Sequence, residues 1–437
     1  MRSCRAARAA FFLALAALAA PPRGALAQGS DCLPQPALAC VAAGAAAAVE
    51  RAWADRASRI IVTTGQLAAF AAVQAKLGDT AGVARMVALV REGEARAGDS
   101  LPLAVFLIRF HPGEDGRAMM RRLVAKADAD RERHLAQGAM PSFAMTEPVA
   151  ALAEAGMAAE AAALIARHRA AFDPRAAAMD PLMRIDYHRG LMTAYGAVGN
   201  AAERAAAAAR AAAEAQALEG AAGRKLQVRM ELARAMLKAG AIAEARATLA
   251  DVRRSGDVGD YAIVAFEIAA AAGDAQARAA EIAALRQRRA RVIGEPGDWH
   301  SGETRHQLEA LLRAGERDEA KSILAEAKAA AATLQPEERR REAQFPLGTL
   351  AAVLGDEAEV DAIAKRLAEG RDPRDSEAAH AERLRFLVVE FCRAHAQFGH
   401  AAPALRCLAR VGEEGRFLAH AARARIELAV AMAKAVR

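Results

Sequence analysis

One unit recurs along the chain and limits what it can fold into. It is clearest over residues 225–252, KLQVRMELARAMLKAGAIAEARATLADV. Apolar residues fall at Leu226, Met230, Ala233 and Leu237, then at Ile242, Ala245, Leu249 and Val252. Steps of three and four place each set on one face of a helix. Gly240 lies between the sets, where a residue free to adopt positive φ lets one helix stop and the next begin. The pattern predicts two antiparallel helices joined by a tight turn. It recurs around Gly78, Gly156, Gly199, Gly273, Gly315, Gly355 and Gly399, with a looser turn at His111–Gly116. With Gly116 as the marker of that turn, consecutive turns lie 38, 40, 43, 41, 33, 42, 40 and 44 residues apart. Hairpins repeated at this period predict an all-α fold: a right-handed α-solenoid of about nine stacked antiparallel helical hairpins, each burying its apolar face on its neighbours.

The residues around the turns resemble the tetratricopeptide-repeat family. Its turn reads glycine, three variable residues, an acid and a small residue, as in Gly240…Glu244-Ala245, Gly315…Glu319-Ala320 and Gly156…Glu160-Ala161. A large apolar residue follows nine after the glycine at Leu249, Leu324, Ile165 and Ile282, and prolines stand near repeat boundaries at Pro174, Pro336 and Pro373. The small residue seven before the turn is kept at Ala233 and Gly348 but is Leu308, Met192 or Phe266 elsewhere. The aromatic four before the turn is kept at Tyr195 alone, and the spacing exceeds the family's 34 residues. The resemblance implies a concave groove lined by the first helices of successive hairpins. Counted from each turn glycine, its outward positions are Asp186, Arg189, Gln227, Arg234, Asp260, Glu267, Arg305, Glu309 and Arg393. Their mixed signs suit a protein or peptide partner, although a charged helix face is most often simply solvated. The resemblance carries no catalytic residue.

The beginning of the chain reads as an export signal. Arg2, Arg5 and Arg8 precede the apolar run Ala9–Ala20, and Ala25-Leu26-Ala27 offers a cleavage site. The expected organisation is a signal peptide over 1–27, a lead-in and capping helix over 28–58, and the repeat over 59–437. The apolar run is too short for a permanent membrane span, so no stable span is expected after cleavage. Residue usage rich in Ala, and in Arg over Lys, hints at a bacterial source, which would make the compartment the periplasm or the medium. Loss of Arg2, Arg5, Arg8 and Arg23 with the signal lowers the formal charge from +7 to +3. The remaining charges are interspersed, so no basic stripe of the kind nucleic acid requires is expected. The one basic cluster, at Arg286, Arg288, Arg289 and Arg291, suits a helix C-terminus.

Four cysteines follow the signal, an even number that favours disulfides in an exported chain. Cys392 and Cys407 stand seven before and eight after Gly399, at matching heights of one hairpin. A bridge there would staple the last hairpin, where no further repeat covers the end. Cys32 and Cys40 would close the lead-in.

The search for reactive chemistry yields little. There is no glycine-rich phosphate loop, nucleophile elbow or H-E-x-x-H. His300, Glu303 and His306 lie three apart and could face one way, which gives an alternative reading as an α-helical hydrolase or metal-binding protein. Against it, helical zinc pairs are usually four apart, and surface histidines are common. Asp186-Tyr187-His188-Arg189 is read as surface packing, and His395 and His400 as partners for backbone groups at the Gly399 turn. With aromatics at 4%, the stacking platforms of a sugar-processing cleft are scarce. The sequence therefore predicts an exported, non-enzymatic scaffold without a cofactor, binding a partner in the cell envelope.

Overall fold

The backbone groups left over at helix ends decide how this chain turns. In the computed structural model, eight of the expected turn glycines, Gly78, Gly156, Gly199, Gly240, Gly273, Gly315, Gly355 and Gly399, have φ between 67 and 83°. At each, the glycine N–H bonds the carbonyl three residues back, and the next N–H bonds the carbonyl five back. This satisfies two carbonyls that the first helix would otherwise leave open. At Asp79, Asn200, Asp274 and Asp356, that next residue also caps the second helix, accepting from the N–H three residues on. One residue thus ends one helix and starts the other. The residue four before each glycine is buried in every case, from Gln74 to His395.

The structure describes residues 32–33, 35–55, 61–94, 101–110, 114–136, 146–219, 222–250, 261–293, 302–370, 376–412, 414–415 and 417–435. The signal sequence, the expected boundaries after 27 and 58, Asp260, His300 and the Gly294–Asp298 loop lie outside them. Every regular element among the described residues is helical. They are α1 (Leu38–Ala54), α2 (Thr64–Lys76), α3 (Thr80–Glu94), α4 (Leu101–Phe110), α5 (Glu114–Ala136), α6 (Thr146–Glu154), α7 (Ala158–Phe172), a 3-10 turn (Asp173–Ala178), α8 (Pro181–Ala197), α9 (Ala201–Ala217), α10 (Ala222–Lys238), α11 (Ile242–Ala250), α12 (Tyr261–Ala271), α13 (Ala275–Ile293), α14 (Gly302–Arg313), α15 (Arg317–Thr333), α16 (Glu337–Glu342), α17 (Gln344–Leu354), α18 (Glu357–Glu369), α19 (Glu377–Gln397), α20 (Ala401–Val411) and α21 (Phe417–Ala435). The stretch leading into the Gly355 turn is two helices, α16 and α17, joined at Ala343. Gly116 is not a turn glycine. It lies in the first turn of α5, where an added Cβ would come within 2.9 Å of the Ile108 nitrogen.

The chain divides into two compact units, one of residues 97–317 and one combining 1–96 with 318–437. In the first, α4 packs on α5, α6 on α7, α8 on α9, α10 on α11 and α12 on α13. The first arms also pack in sequence: α4 on α6, then α8, α10, α12 and α14. Ties along the turn edge fix their register. Arg204 Nη1 donates to the Ala239 carbonyl (2.9 Å), Arg246 pairs with Asp274 (3.2 Å), and Arg278 with Glu316 (3.2 Å). The alanine-rich arm α9 buries Ala207, Ala208, Ala211 and Ala215. These small faces let α8 and α9 approach along their lengths.

In the second unit the two ends of the chain meet. Helix α1 was expected to cover the first hairpin, and it does touch it, through Glu50 to Arg85 (3.1 Å) and Trp53 to Glu92 (3.3 Å). Its main partner, however, is α21, which also packs on α2 and α19. The pairs Glu50–Arg85 and Trp53–Glu92 run α1 parallel to α3. Lys76 Nζ on the Ala433 carbonyl (2.7 Å) brings the C-terminal ends of α2 and α21 together. Since α2 and α3 are antiparallel arms, α1 and α21 form a further antiparallel hairpin, with one arm from each end of the chain. A last helix, expected over 416–435 after the Gly399 hairpin, is present as α21, but nothing in the sequence pattern pairs it with α1. The physical reason for the pairing is that α1 and α21 both carry an unspent small-residue face: Val41, Ala45, Ala48, Val49 and Ala52 on one, Ala421, Ala422, Ala424, Ile426, Leu428 and Ala429 on the other. Burying aliphatic side chains on each other is worth about 25 cal/mol per Å². Cys32 is bonded to Cys40 and Cys392 to Cys407, with Cα atoms 5.7 and 5.3 Å apart.

Candidate functional site

The expected groove positions among the described residues fall in both units. In the unit of residues 97–317, Asp186 and Arg189 stand on α8, Gln227 and Arg234 on α10, Glu267 on α12, and Arg305 and Glu309 on α14. None of them is buried. Asp186 pairs with Arg189 at 2.8 Å, and Gln227 donates to Glu231 at 3.1 Å. Arg305 pairs with Glu309 at 2.7 Å. Arg313, which the sequence reading did not single out, pairs with Glu309 at 2.9 Å and with Glu267 of the neighbouring first arm at 3.4 Å. The structure thus joins Glu267, Arg305 and Glu309 into one network through Arg313. The i+4 spacing of 305, 309 and 313 on α14 is the signal that pointed to it. Arg393 belongs to the other unit, on α19. It is tied to Glu427 (3.2 Å) of α21 and to Glu390 (2.8 Å), so it spans two first arms there.

The polar group expected as a metal candidate is differently employed. Glu303 takes a two-pronged bond from Arg288 (2.5 and 3.2 Å) and a bond from the Gln307 amide (3.1 Å). His306 is exposed, and His300 lies outside the described residues. Among the described residues no group of three or more His, Cys, Asp or Glu is placed to hold a metal ion. Arg288 accordingly serves as an ion-pair partner, and Arg289 is buried, beyond their expected role at the C-terminal end of α13.

Asp186-Tyr187-His188-Arg189 is not simple surface packing. Asp186 and Arg189, three apart, share the outer face, while Tyr187 and His188 are buried. The Tyr187 ring lies 5.9 Å from that of Phe172 and 6.1 Å from His168, and His168 lies 4.4 Å from Phe172. The Tyr187 hydroxyl donates to Asp173 Oδ1. Asp173 Oδ2 accepts from Arg169 Nε (3.0 Å), and Arg169 Nη1 donates to the Tyr195 hydroxyl (3.2 Å). Burial, then the bond to Asp173, raises the Tyr187 pKa and keeps its proton on oxygen. Burial, then the nearby Arg131 charge, pushes His168 down to about 4. His188 is lowered chiefly by burial and next by Arg210. All are thus held neutral near pH 7, the state of a core rather than of a proton relay. Arg169 and Asp173 were not foreseen. Their i+4 spacing just ahead of Pro174, close to the aromatic Tyr195, was the available clue.

His400 Nε2 donates to the Val353 carbonyl of the preceding hairpin (2.8 Å), so it does serve a backbone group, though not one of its own turn. His395 is fully buried beneath it. No family model, curated protein or solved structure was found to match this chain.

Proposed function

We propose that this protein is an exported, tetratricopeptide-like α-solenoid scaffold that holds a peptide or protein segment of the cell envelope along its first arms. No catalysis of its own is part of this reading. The observation that carries it is the unbroken succession of first-arm contacts from α4 to α14, which sets charged residues of successive hairpins side by side. The Glu267–Arg313–Glu309–Arg305 network is such a row, with two acids and two bases. Alternating signs favour an extended chain of mixed charge over a polyanion. Export is supported by the two disulfides, which persist where the surroundings are oxidising. No helix among the described residues is long and apolar enough to cross a membrane.

The test is a photo-crosslinking side chain placed one at a time at Arg189, Gln227 and Arg305, with Ala209 and Ala283 on second arms as controls, in intact cells of the source organism. The reading expects one discrete adduct shared by the first-arm positions and absent from both controls. Equal labelling from both sets, or none from the first arms, would overturn it.

A further inference from the structure

A cleft of about 360 Å³ opens between α7 and the turn at Gly199, away from the first-arm ion network. Ile165 and Val198 form its apolar floor, and Arg169, Asp173, Tyr195 and Asn200 supply its polar lining. That volume is at the small end of specific ligand sites.

The hydrogen bonding of these four residues decides what the cleft can accept. Asp173 already receives the Tyr187 hydroxyl on one oxygen and Arg169 Nε on the other. The Tyr195 hydroxyl accepts from Arg169 Nη1 and gives its own proton to no group among the described residues. Arg169 Nη2 likewise has no partner among them. Asn200 Oδ1 accepts from the Glu203 N–H (3.2 Å), leaving its amide N–H groups to donate. Three groups at the cleft therefore offer donors, and its one carboxylate is engaged on both oxygens. A ligand that brings acceptors matches these donors. The charge balance narrows the class further. Arg169 is neutralised by Asp173, and Glu203 Oε2 lies 3.6 Å from its Nη1, so there is no surplus positive charge to attract an anion.

From this donor-rich, charge-balanced lining over an apolar floor, we propose that the cleft is a peptide subsite that takes an uncharged backbone carbonyl together with a small aliphatic side chain. The carbonyl oxygen accepts from Arg169 Nη2 and the Tyr195 hydroxyl, and the side chain rests on Ile165 and Val198. The guanidinium is held on two sides, by Asp173 and by Tyr195, so little freedom remains to be lost on binding. The proposal rests on the reading of the partner as a peptide but places this contact away from the charged row of Glu267, Arg305, Glu309 and Arg313.

The probe is the blocked tripeptide acetyl-Ala-Val-Ala-N-methylamide, observed by saturation-transfer NMR against the full-length mature protein. The expected result is transfer to the valine methyl groups in the wild type. A fall in affinity of about tenfold is expected in Tyr195→Phe, equivalent to one hydrogen bond. Ala166→Leu, a surface substitution that fills the cleft without touching its polar groups, is expected to abolish binding, with circular dichroism confirming the fold. Glu309→Gln is expected to bind as the wild type does. Loss of binding in Glu309→Gln but not in Ala166→Leu would overturn the subsite and leave the first-arm reading standing. Equal binding by Tyr195→Phe and Ala166→Leu, displacement by equimolar sodium acetate, or no transfer in the wild type would also overturn it.

Discussion

At the scale of single residues, the turn glycines and two histidines carry the clearest consequences. An added Cβ on Gly273 would meet nothing within 4 Å, so its φ of 67° isolates the conformational cost. Gly273→Ala should lower stability by about 1–2 kcal/mol in urea melts, the cost of a left-handed conformation for an L-residue. Gly348 is a different case. It has helical φ, but a Cβ there would lie 2.3 Å from the Phe391 ring. Gly348→Ala should therefore cost more, about 2–3 kcal/mol, by overpacking, and pairing it with Phe391→Leu should recover part of the loss. The histidines set an acid limit. His395 is pushed down to about 4, first by burial and then by His400, with Glu357 and Asp361 opposing; His168 is pushed down to about 4 as well. Unfolded, each titrates near 6.5, so between those values the unfolded chain binds more protons. Stability is complete above pH 6.5 and falls progressively as pH drops toward 4, by up to about 3 kcal/mol per histidine. Melts from pH 7.5 to 4.5 should show this slope, and His395→Phe should reduce it by about half, with the share of His168 remaining. An unchanged slope in that variant would assign the acid sensitivity elsewhere.

At the scale of the helical element, hairpin geometry was legible because it is local. Turn glycines, the caps behind them and the three- and four-residue steps all act within about a dozen residues, and a helix stands on either side of each of the eight positive-φ turn glycines. Cys392 and Cys407 belong to the same local logic, bonded across the arms of α19 and α20. Their closed loop should contribute about 3 kcal/mol. Replacing both by alanine should lower the denaturation midpoint by that equivalent, and reductant should then have no further effect on this hairpin. Two features of these elements have weaker local signals. The hairpin expected around His111–Gly116 is present, with α4 ending at Phe110 and α5 beginning at Glu114, but its marker Gly116 is itself helical, where the Ile108 backbone comes close. The break at Ala343 had no glycine to announce it.

At the scale of the whole chain, the pairing of α1 with α21 is the feature with the widest consequence. Deleting residues 1–58 should expose the small-residue face of α21 and cost it its amide-exchange protection, although the two are nearly 400 residues apart in sequence. If α1 were only a cover for the first hairpin, α2 and α3 alone would lose protection, and exchange measured by mass spectrometry separates the outcomes. The candidate site was legible in part on the same grounds. The outward positions of Asp186, Gln227 and Arg305 follow from their distance to a glycine. That Arg313 would join Glu267 to Glu309, or that Arg169 would be held between Asp173 and Tyr195, depends on which faces of separate helices come together.

The sequence by itself determined the all-helical character, the position of the turns and the hairpin bridge, because backbone sterics, helix periodicity and short-range hydrogen bonding are written within each repeat. Only the tertiary structure decided that the chain's two ends complete one hairpin and that Arg169, Asp173, Tyr187 and Tyr195 form one chain of hydrogen bonds. Those contacts join segments with no local signal for each other. They are selected by the burial of complementary small and aromatic faces, which exists only once the helices have packed.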